Sequence, residues 1–241
     1  MIKTLLQASL QVLIIVPFAI LLLKEKNRIS FLRIFVFAFC YIVYQFIEVL
    51  PRLYPTFDII KGSWNWDGKI YGIILGVVFY FLFRKLFREN DFFTLRQNKE
   101  NFKPALVGAI IMVLLSSIVW FIFGKSEFDF ETLAFQISIP GIDEEIFFRG
   151  LLLGLLASAL KEKVSFLGNP SVLLTAILFG FMHVLKIDKN NSIGFDLIYF
   201  LQTGLAGYVW GWITIKSRSI LLAIFSHNFS NFFGTLSTMI K

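Results

Sequence analysis

The sequence predicts an all-α membrane protein that crosses the bilayer several times. Of its 241 residues, 57% are hydrophobic and only 16% are charged, whereas soluble domains carry about 25% charged residues. Apolar runs recur between short charged loops, and a helix needs about 20 residues to cross a hydrocarbon core about 30 Å thick. The 30 phenylalanines add more apolar surface than a soluble domain of this size would bury.

Eight apolar runs predict eight transmembrane helices. They extend approximately over residues 4–23, 31–50, 70–87, 104–124, 133–160, 172–185, 195–215 and 220–239. The fifth run is interrupted by Pro140 and Gly141. A helix broken at membrane depth is tolerated where protein or water satisfies the freed backbone groups. The sequence therefore predicts a cavity at this break.

The formal net charge of +7 indicates membrane orientation rather than nucleic-acid binding, because the basic residues lie between apolar runs. Apart from Arg149, fourteen lysines and arginines fall on one side of the predicted membrane and eight on the other. The positive-inside rule then places both termini outside. We expect an integral protein of a bacterial cell (inner) membrane. The single Cys40 excludes an intrachain disulfide and a multi-cysteine zinc site.

Ionisable residues inside apolar runs are costly to insert, so each is a candidate functional residue. They concentrate after the break, where Asp143, Glu144, Glu145 and Arg149 share two helical turns. Glu145 and Arg149 are four residues apart, so they lie on one helix face and can form an ion pair. Glu144 lies about 100° round the helix from Glu145 and must face a cavity or another helix. This leaves Glu144 free to act as a general base. The alternative is a solvated capping cluster at a helix start.

Both histidines of the chain also fall in apolar runs, His183 in the sixth and His227 in the eighth. One buried histidine is more often a packed core residue, but two of them, with none in the polar loops, favour a functional role. Phe179 precedes His183 by four residues, which places an aromatic ring beside that imidazole. His227 and Asn231 are also four residues apart, so one helix face presents an imidazole and an amide.

Three short motifs contain these residues in order. They are EEIFFR at 144–149, FGFMH at 179–183 and HNFSN at 227–231. Together they resemble the EExxxR, FxxxH and HxxxN motifs of the CAAX protease and bacteriocin-processing family (CPBP or Abi) of intramembrane proteases. The resemblance covers roughly residues 104–240. It divides the chain into N-terminal transmembrane helices with a basic loop, over 1–103, and a CPBP-like protease core, over 104–241.

The resemblance implies a hydrolase that cleaves a membrane-anchored or prenylated peptide substrate at the bilayer. It implies that Glu144 activates the attacking water with help from His183. His227 and Asn231 would stabilise the oxyanion or hold a metal, and the neighbouring ion pair would brace the site.

The catalytic type stays open between a glutamate-type protease and a metalloprotease. Glu144, His183 and His227 can ligate a divalent metal such as zinc with a water in the fourth position. The same side chains can also work without a metal.

Two other function classes use similar residues. An ion-coupled transporter also buries Glu, Arg and His, although the sequence has no internal repeat. A non-catalytic family member would bind a peptide, as an immunity protein does. The side of the membrane is also open: the site lies toward the face of both termini, which the charge count makes external, whereas prenyl-protein proteases of the family act on cytosolic substrates.

Overall fold

The computed structural model describes residues 2–188 and 190–241. Lys189, one of the basic residues counted for orientation, lies outside the described residues, as does Met1. Each of the eight predicted apolar runs is helical. The helices are α1 (Ile2–Leu21), α2 (Arg28–Leu53), α3 (Trp66–Phe83), α4 (Phe102–Phe123), α5 (Phe130–Ser138), α6 (Pro140–Glu145), α7 (Leu153–Ala159), α8 (Pro170–Val184), α9 (Leu197–Ser217) and α10 (Leu221–Met239). The predicted all-α class is thereby confirmed.

Short irregular elements connect the helices. Three 3₁₀ turns cover Pro55–Phe57, Arg84–Leu86 and Arg88–Asn90. A two-residue strand pair, β1 (Lys186–Ile187) and β2 (Ile193–Gly194), is antiparallel and joins α8 to α9.

Three of the described helices, α1, α2 and α4, are long and apolar enough to cross a membrane. Only 6% of the apolar stretch of α4 is buried inside the protein. Its outward side chains, among them Ile110, Leu114 and Phe121, are large and apolar, which suits contact with lipid and not with water. The chain is therefore a multi-pass membrane protein, and spanning by the remaining runs stays a prediction.

Polar side chains fix where several helices begin. Asn27 accepts a hydrogen bond from the Ser30 amide at the start of α2 (2.9 Å), and Asp196 accepts one from the Tyr199 amide at the start of α9 (2.9 Å). Asn169 caps α8 in the same way and is followed by Pro170 at the first helical position. These side chains satisfy amides that have no partner inside the helix.

The fifth run is divided at the predicted break. α5 ends at Ser138, and Pro140 begins α6. The freed backbone groups are satisfied by Asn228 of α10, whose Oδ1 accepts from the Gly141 amide (2.7 Å) and whose Nδ2 donates to the Ser138 carbonyl (3.1 Å). A Cβ on Gly141 would lie 2.5 Å from that Oδ1, so this approach requires glycine.

A π-helical segment, Ile146–Leu152, follows α6 directly and was not predicted. π-Helices are rare and are frequently found at functional sites. All seven of its residues are buried. It contacts α3 and connects α6 to α7.

The N-terminal helices pack against this divided run. α2 contacts α1, α3 and α7, and α3 contacts α6 and the π-helical segment. On the other side, α8 packs along α9, and α4 packs along α10. A Cβ on Gly207 of α9 would lie 3.1 Å from the Phe179 ring, so this glycine lets α9 approach α8 closely. The divided run is thus enclosed by helices from both halves of the chain.

Candidate active site

The predicted ion pair between Glu145 and Arg149 is present. Arg149 Nη1 donates to Glu145 Oε1 at 3.0 Å, and both side chains are buried. Arg149 Nη2 also donates to the Gly207 carbonyl of α9 (2.9 Å), and its guanidinium lies 4.7 Å from the centre of the Phe179 ring. The arginine therefore connects the π-helical segment to α8 through Phe179 and to α9 through Gly207.

Glu145 has a second partner that the sequence reasoning missed. Its Oε1 lies 2.8 Å from His227 Nδ1. The His227 ring also stacks on Trp210, with centroids 3.8 Å apart and planes at 12°. These two contacts fix the imidazole, and its Nε2 then lies 3.8 Å from Glu144 Oε2.

Glu144 does not use Arg149, in agreement with its predicted orientation. It is 5% exposed, and its Oε1 accepts a hydrogen bond from Lys69 Nζ of α3 (2.8 Å). The other oxygen, Oε2, is buried and has no hydrogen-bond partner among the described residues. One oxygen of Glu144 is thus held by a cation, and the other faces His227.

Lys69 lies at the centre of a carboxylate cluster. Its Nζ is 2.6 Å from Glu48 Oε1, 2.8 Å from Glu144 Oε1 and 3.0 Å from Asp143 Oδ2. Tyr44 donates to the same oxygen of Asp143 (2.6 Å). We call Tyr44, Glu48, Lys69, Asp143 and Glu144 the lysine cluster.

The lysine cluster corrects two sequence-based readings. Lys69 was counted as a loop charge on the outer side, but it lies inside α3 and is paired with carboxylates. All the predicted site residues lie in the second half of the chain, yet α2 and α3 supply Tyr44, Glu48 and Lys69. A signal was available, because Glu48 is an ionisable residue inside the second apolar run, and such residues are costly in lipid.

His183 lies near the end of α8, half-buried. Its Nδ1 is 2.8 Å from the Phe179 carbonyl oxygen, and its ring centre is 4.6 Å from that of Phe179. The predicted contact between these two residues is therefore present. Phe179 also lies edge-on to His227, with ring centres 6.1 Å apart, so its ring neighbours both imidazoles.

The two asparagines of the HNFSN motif differ in their contacts. Asn228 is buried and bridges the break between α5 and α6. Asn231, the predicted catalytic residue, is half-buried, and its side chain makes no hydrogen bond within the described part of the chain. The structure makes Asn228 the amide that fixes the backbone beside Glu144. The catalytic role of Asn231 stays a prediction.

The predicted metal ligands have suitable atoms but unsuitable spacing. Each imidazole has Nδ1 beside an acceptor, which leaves the Nε2 lone pair available, as in metal-binding histidines. However, no group of three or more His, Cys, Asp and Glu side chains in the described residues is placed to hold a metal ion. Zinc binding by Glu144, His183 and His227 stays a prediction, and we derive no step through a metal.

Comparison with known proteins bears on residues 126–233. They match the family described as Rce1-like, type II CAAX prenyl endopeptidase. The chain is also 34% identical over 92 residues to a Bacillus subtilis (strain 168) protein named "Uncharacterized protein YyaK". That alignment covers 37% of this chain and 27% of the relative, so the chain matches about a quarter of the relative's length. No solved structure matches. The family recognised from the three motifs is confirmed: residues 126–233 form a domain of the Rce1-like type II CAAX prenyl endopeptidase (CPBP) family.

Proposed function

We propose that this protein is an intramembrane endopeptidase that hydrolyses a peptide bond of a membrane-anchored or lipid-modified substrate. One observation carries the proposal: the buried, unpartnered Oε2 of Glu144 lies 3.8 Å from Nε2 of His227. A general base must lie within hydrogen-bond reach of the proton that it removes, directly or through one water. The separation of these two atoms allows one water molecule to contact both.

In the proposed reaction, Glu144 removes a proton from that water while the water oxygen attacks the carbonyl carbon of the scissile bond. The new C–O bond forms as negative charge develops on the carbonyl oxygen. His227 donates from Nε2 to this oxyanion. Glu145 accepts from Nδ1 of the same ring and stabilises the imidazolium, as the aspartate of a serine-protease triad does.

The second half of the reaction breaks the C–N bond. The proton held by Glu144 passes to the leaving nitrogen, so the products are a free carboxyl group and a free amine. His183 is assigned to help Glu144 activate the water through the family resemblance alone. Asn231 is assigned to the oxyanion through the family resemblance alone.

The substrate class follows from the location of the site. Glu144 and His227 are buried among helices of a multi-pass membrane protein, which supports a scissile bond that is held at the bilayer. A membrane anchor or a lipid such as a prenyl group would hold it there. The description of the matched family as a CAAX prenyl endopeptidase supports this class.

The test compares peptide termini in membranes from cells that carry wild-type protein or Glu144→Gln at matched expression. We expect certain membrane-protein ends to disappear in the variant; these are the Glu144-dependent termini. Glu162→Gln, in an exposed loop, is the matched control and should keep all of them. If every terminus survives Glu144→Gln while a transport phenotype is lost, ion coupling replaces hydrolysis. If neither changes, a peptide-binding role replaces it.

A further inference from the structure

Lys69 is nearly buried, and it belongs to α3, outside the residues that match the protease family. Each of the two adjacent glutamates of the site has its own cation. Arg149 holds Oε1 of Glu145 at 3.0 Å, and Lys69 holds Oε1 of Glu144 at 2.8 Å. In both residues Oε2 is buried and has no partner in the described chain. The two cations therefore bind Oε1 of each glutamate and leave Oε2 without a hydrogen bond to any described residue.

Neutralising Lys69 does not require the contact with Glu144. Glu48 already lies 2.6 Å from its Nζ, and Asp143 lies 3.0 Å away. Two carboxylates are more than enough to balance one ammonium group. The third contact instead constrains Glu144: if its Oε1 were released, the side chain could rotate and exchange its oxygens. Removing that freedom is how positioning residues accelerate a reaction.

We propose that Lys69 is a positioning residue that holds Glu144 so that Oε2 faces Nε2 of His227. Glu48 and Tyr44, both on α2, hold Lys69 and Asp143 in turn. The α2 and α3 helices are then part of the working site. This inference rests on the proposed function, and it adds a residue from the N-terminal half to the predicted catalytic set.

The test measures the rate at which Glu144-dependent termini form in membranes at matched expression. Lys69→Met should lower this rate about a hundredfold, the loss typical of a displaced catalytic group. Lys69→Arg keeps a cation that can reach Glu144, and it should recover most of the rate. Lys61→Met is the matched control, because Lys61 is also paired with a carboxylate, Asp58 at 2.8 Å, but is exposed. It should keep the wild-type rate.

A second variant separates positioning from folding. Lys69→Met with Glu48→Leu removes one positive and one negative charge together, and replacing a buried ion pair by apolar residues is often tolerated. Thermal unfolding in detergent reports whether each variant is folded. A folded double variant that is slow, together with rescue by Lys69→Arg, supports the proposal.

Three results would overturn it. The first is a folded Lys69→Met protein, single or double, that forms the termini within twofold of wild type. The second is failure of both variants to fold, which would make the lysine structural. The third is the absence of any Glu144-dependent termini, which ends the proposed function itself. Only this third result affects both proposals, so the two failures are distinguishable.

Discussion

The imidazole of His227 lies flat on the indole of Trp210, with ring centroids 3.8 Å apart. Trp210 is itself fixed, since its Nε1 donates to Ser226 Oγ on α10 (3.2 Å). The stack holds the imidazole plane, while Glu145 contacts Nδ1 and so leaves Nε2 on the side of Glu144. Glu145 of α6 and Trp210 of α9 therefore together orient the His227 side chain of α10.

The first prediction follows from this stack. Trp210→Leu removes the surface under the imidazole but keeps an apolar side chain. Aromatic pairs contribute about 0.5–1.5 kcal/mol beyond burial, so we expect the rate of Glu144-dependent cleavage to fall up to about tenfold. Trp212→Leu, two residues along on a different face of α9, is the control and should cleave at the wild-type rate. Equal rates for the two variants would mean that the stack has no role in orienting His227.

The second prediction separates the two asparagines. Asn228→Ala leaves the Gly141 amide and the Ser138 carbonyl without their partner, and an unsatisfied buried polar group costs about 1–3 kcal/mol. We expect thermal unfolding in detergent at a clearly lower temperature. Asn231→Ala should unfold near the wild-type temperature and lose cleavage, if its predicted oxyanion role is right. An Asn231→Ala protein with full activity would remove Asn231 from the catalytic set.

The third prediction concerns Arg149. Arg149→Met leaves Glu145 buried without its cation, and breaking a buried pair in this way costs about 3–5 kcal/mol. Arg149→Lys should lose an intermediate amount of stability, because an ammonium cannot reproduce the two directed bonds to Glu145 and the Gly207 carbonyl. Unfolding in detergent measures both, with the exposed Arg96→Met as control. A stable Arg149→Met protein would show that the Glu145–Arg149 ion pair does not stabilise the fold.

The fourth prediction concerns the pH dependence of the contact between Glu131 and residues 63–66 at the start of α3. Hydrogen bonds from the Trp66 indole, and then from the Trp64 and Ser63 amides, hold the pKa of Glu131 below its ordinary value. A carboxyl group with a depressed folded-state pKa stabilises above its ordinary pKa, and that stabilisation is lost as pH falls through the lower folded value. We therefore expect the contact to persist at neutral pH and to loosen only in acid, below the ordinary pKa of glutamate.

Tryptophan fluorescence measures this transition, because Trp64 and Trp66 both pack on Phe135. Glu131→Gln should abolish the acid transition in fluorescence. A wild-type transition centred at or above the ordinary pKa of glutamate would contradict the sign of the shift.

The sequence predicted those features that depend on residues close together in the chain. The eight helical runs follow from apolar length, and the break follows from Pro140. The pairs Glu145–Arg149 and Phe179–His183 each span four residues, so helical geometry alone brings them together.

Contacts between distant residues were not predictable in this way. Lys69 and Glu144 are 75 residues apart, and no periodicity within one helix relates them. The same holds for Asn228 and Gly141, at 87 residues. The bridging role of Asn228 was not predicted, since its buried position beside the break depends on how α10 packs against α6. The π-helical segment was missed because apolar pattern does not distinguish i→i+5 from i→i+4 bonding.

The π-helical segment Ile146–Leu152 also sets how the side-chain faces of α6 and α7 are rotated relative to one another. Its i→i+5 hydrogen bonds accommodate more residues per turn than an α-helix does, so the faces of α6 and α7 are out of register with one another. α6 can then direct its carboxylates toward α3 and α10, while α7 presents apolar side chains to α2. Deleting one residue from the segment would return it toward α-helical bonding and rotate one half by about 100° relative to the other. The carboxylates of α6 and the apolar side chains of α7 could then no longer both face their partners, although no residue of the site itself would have changed.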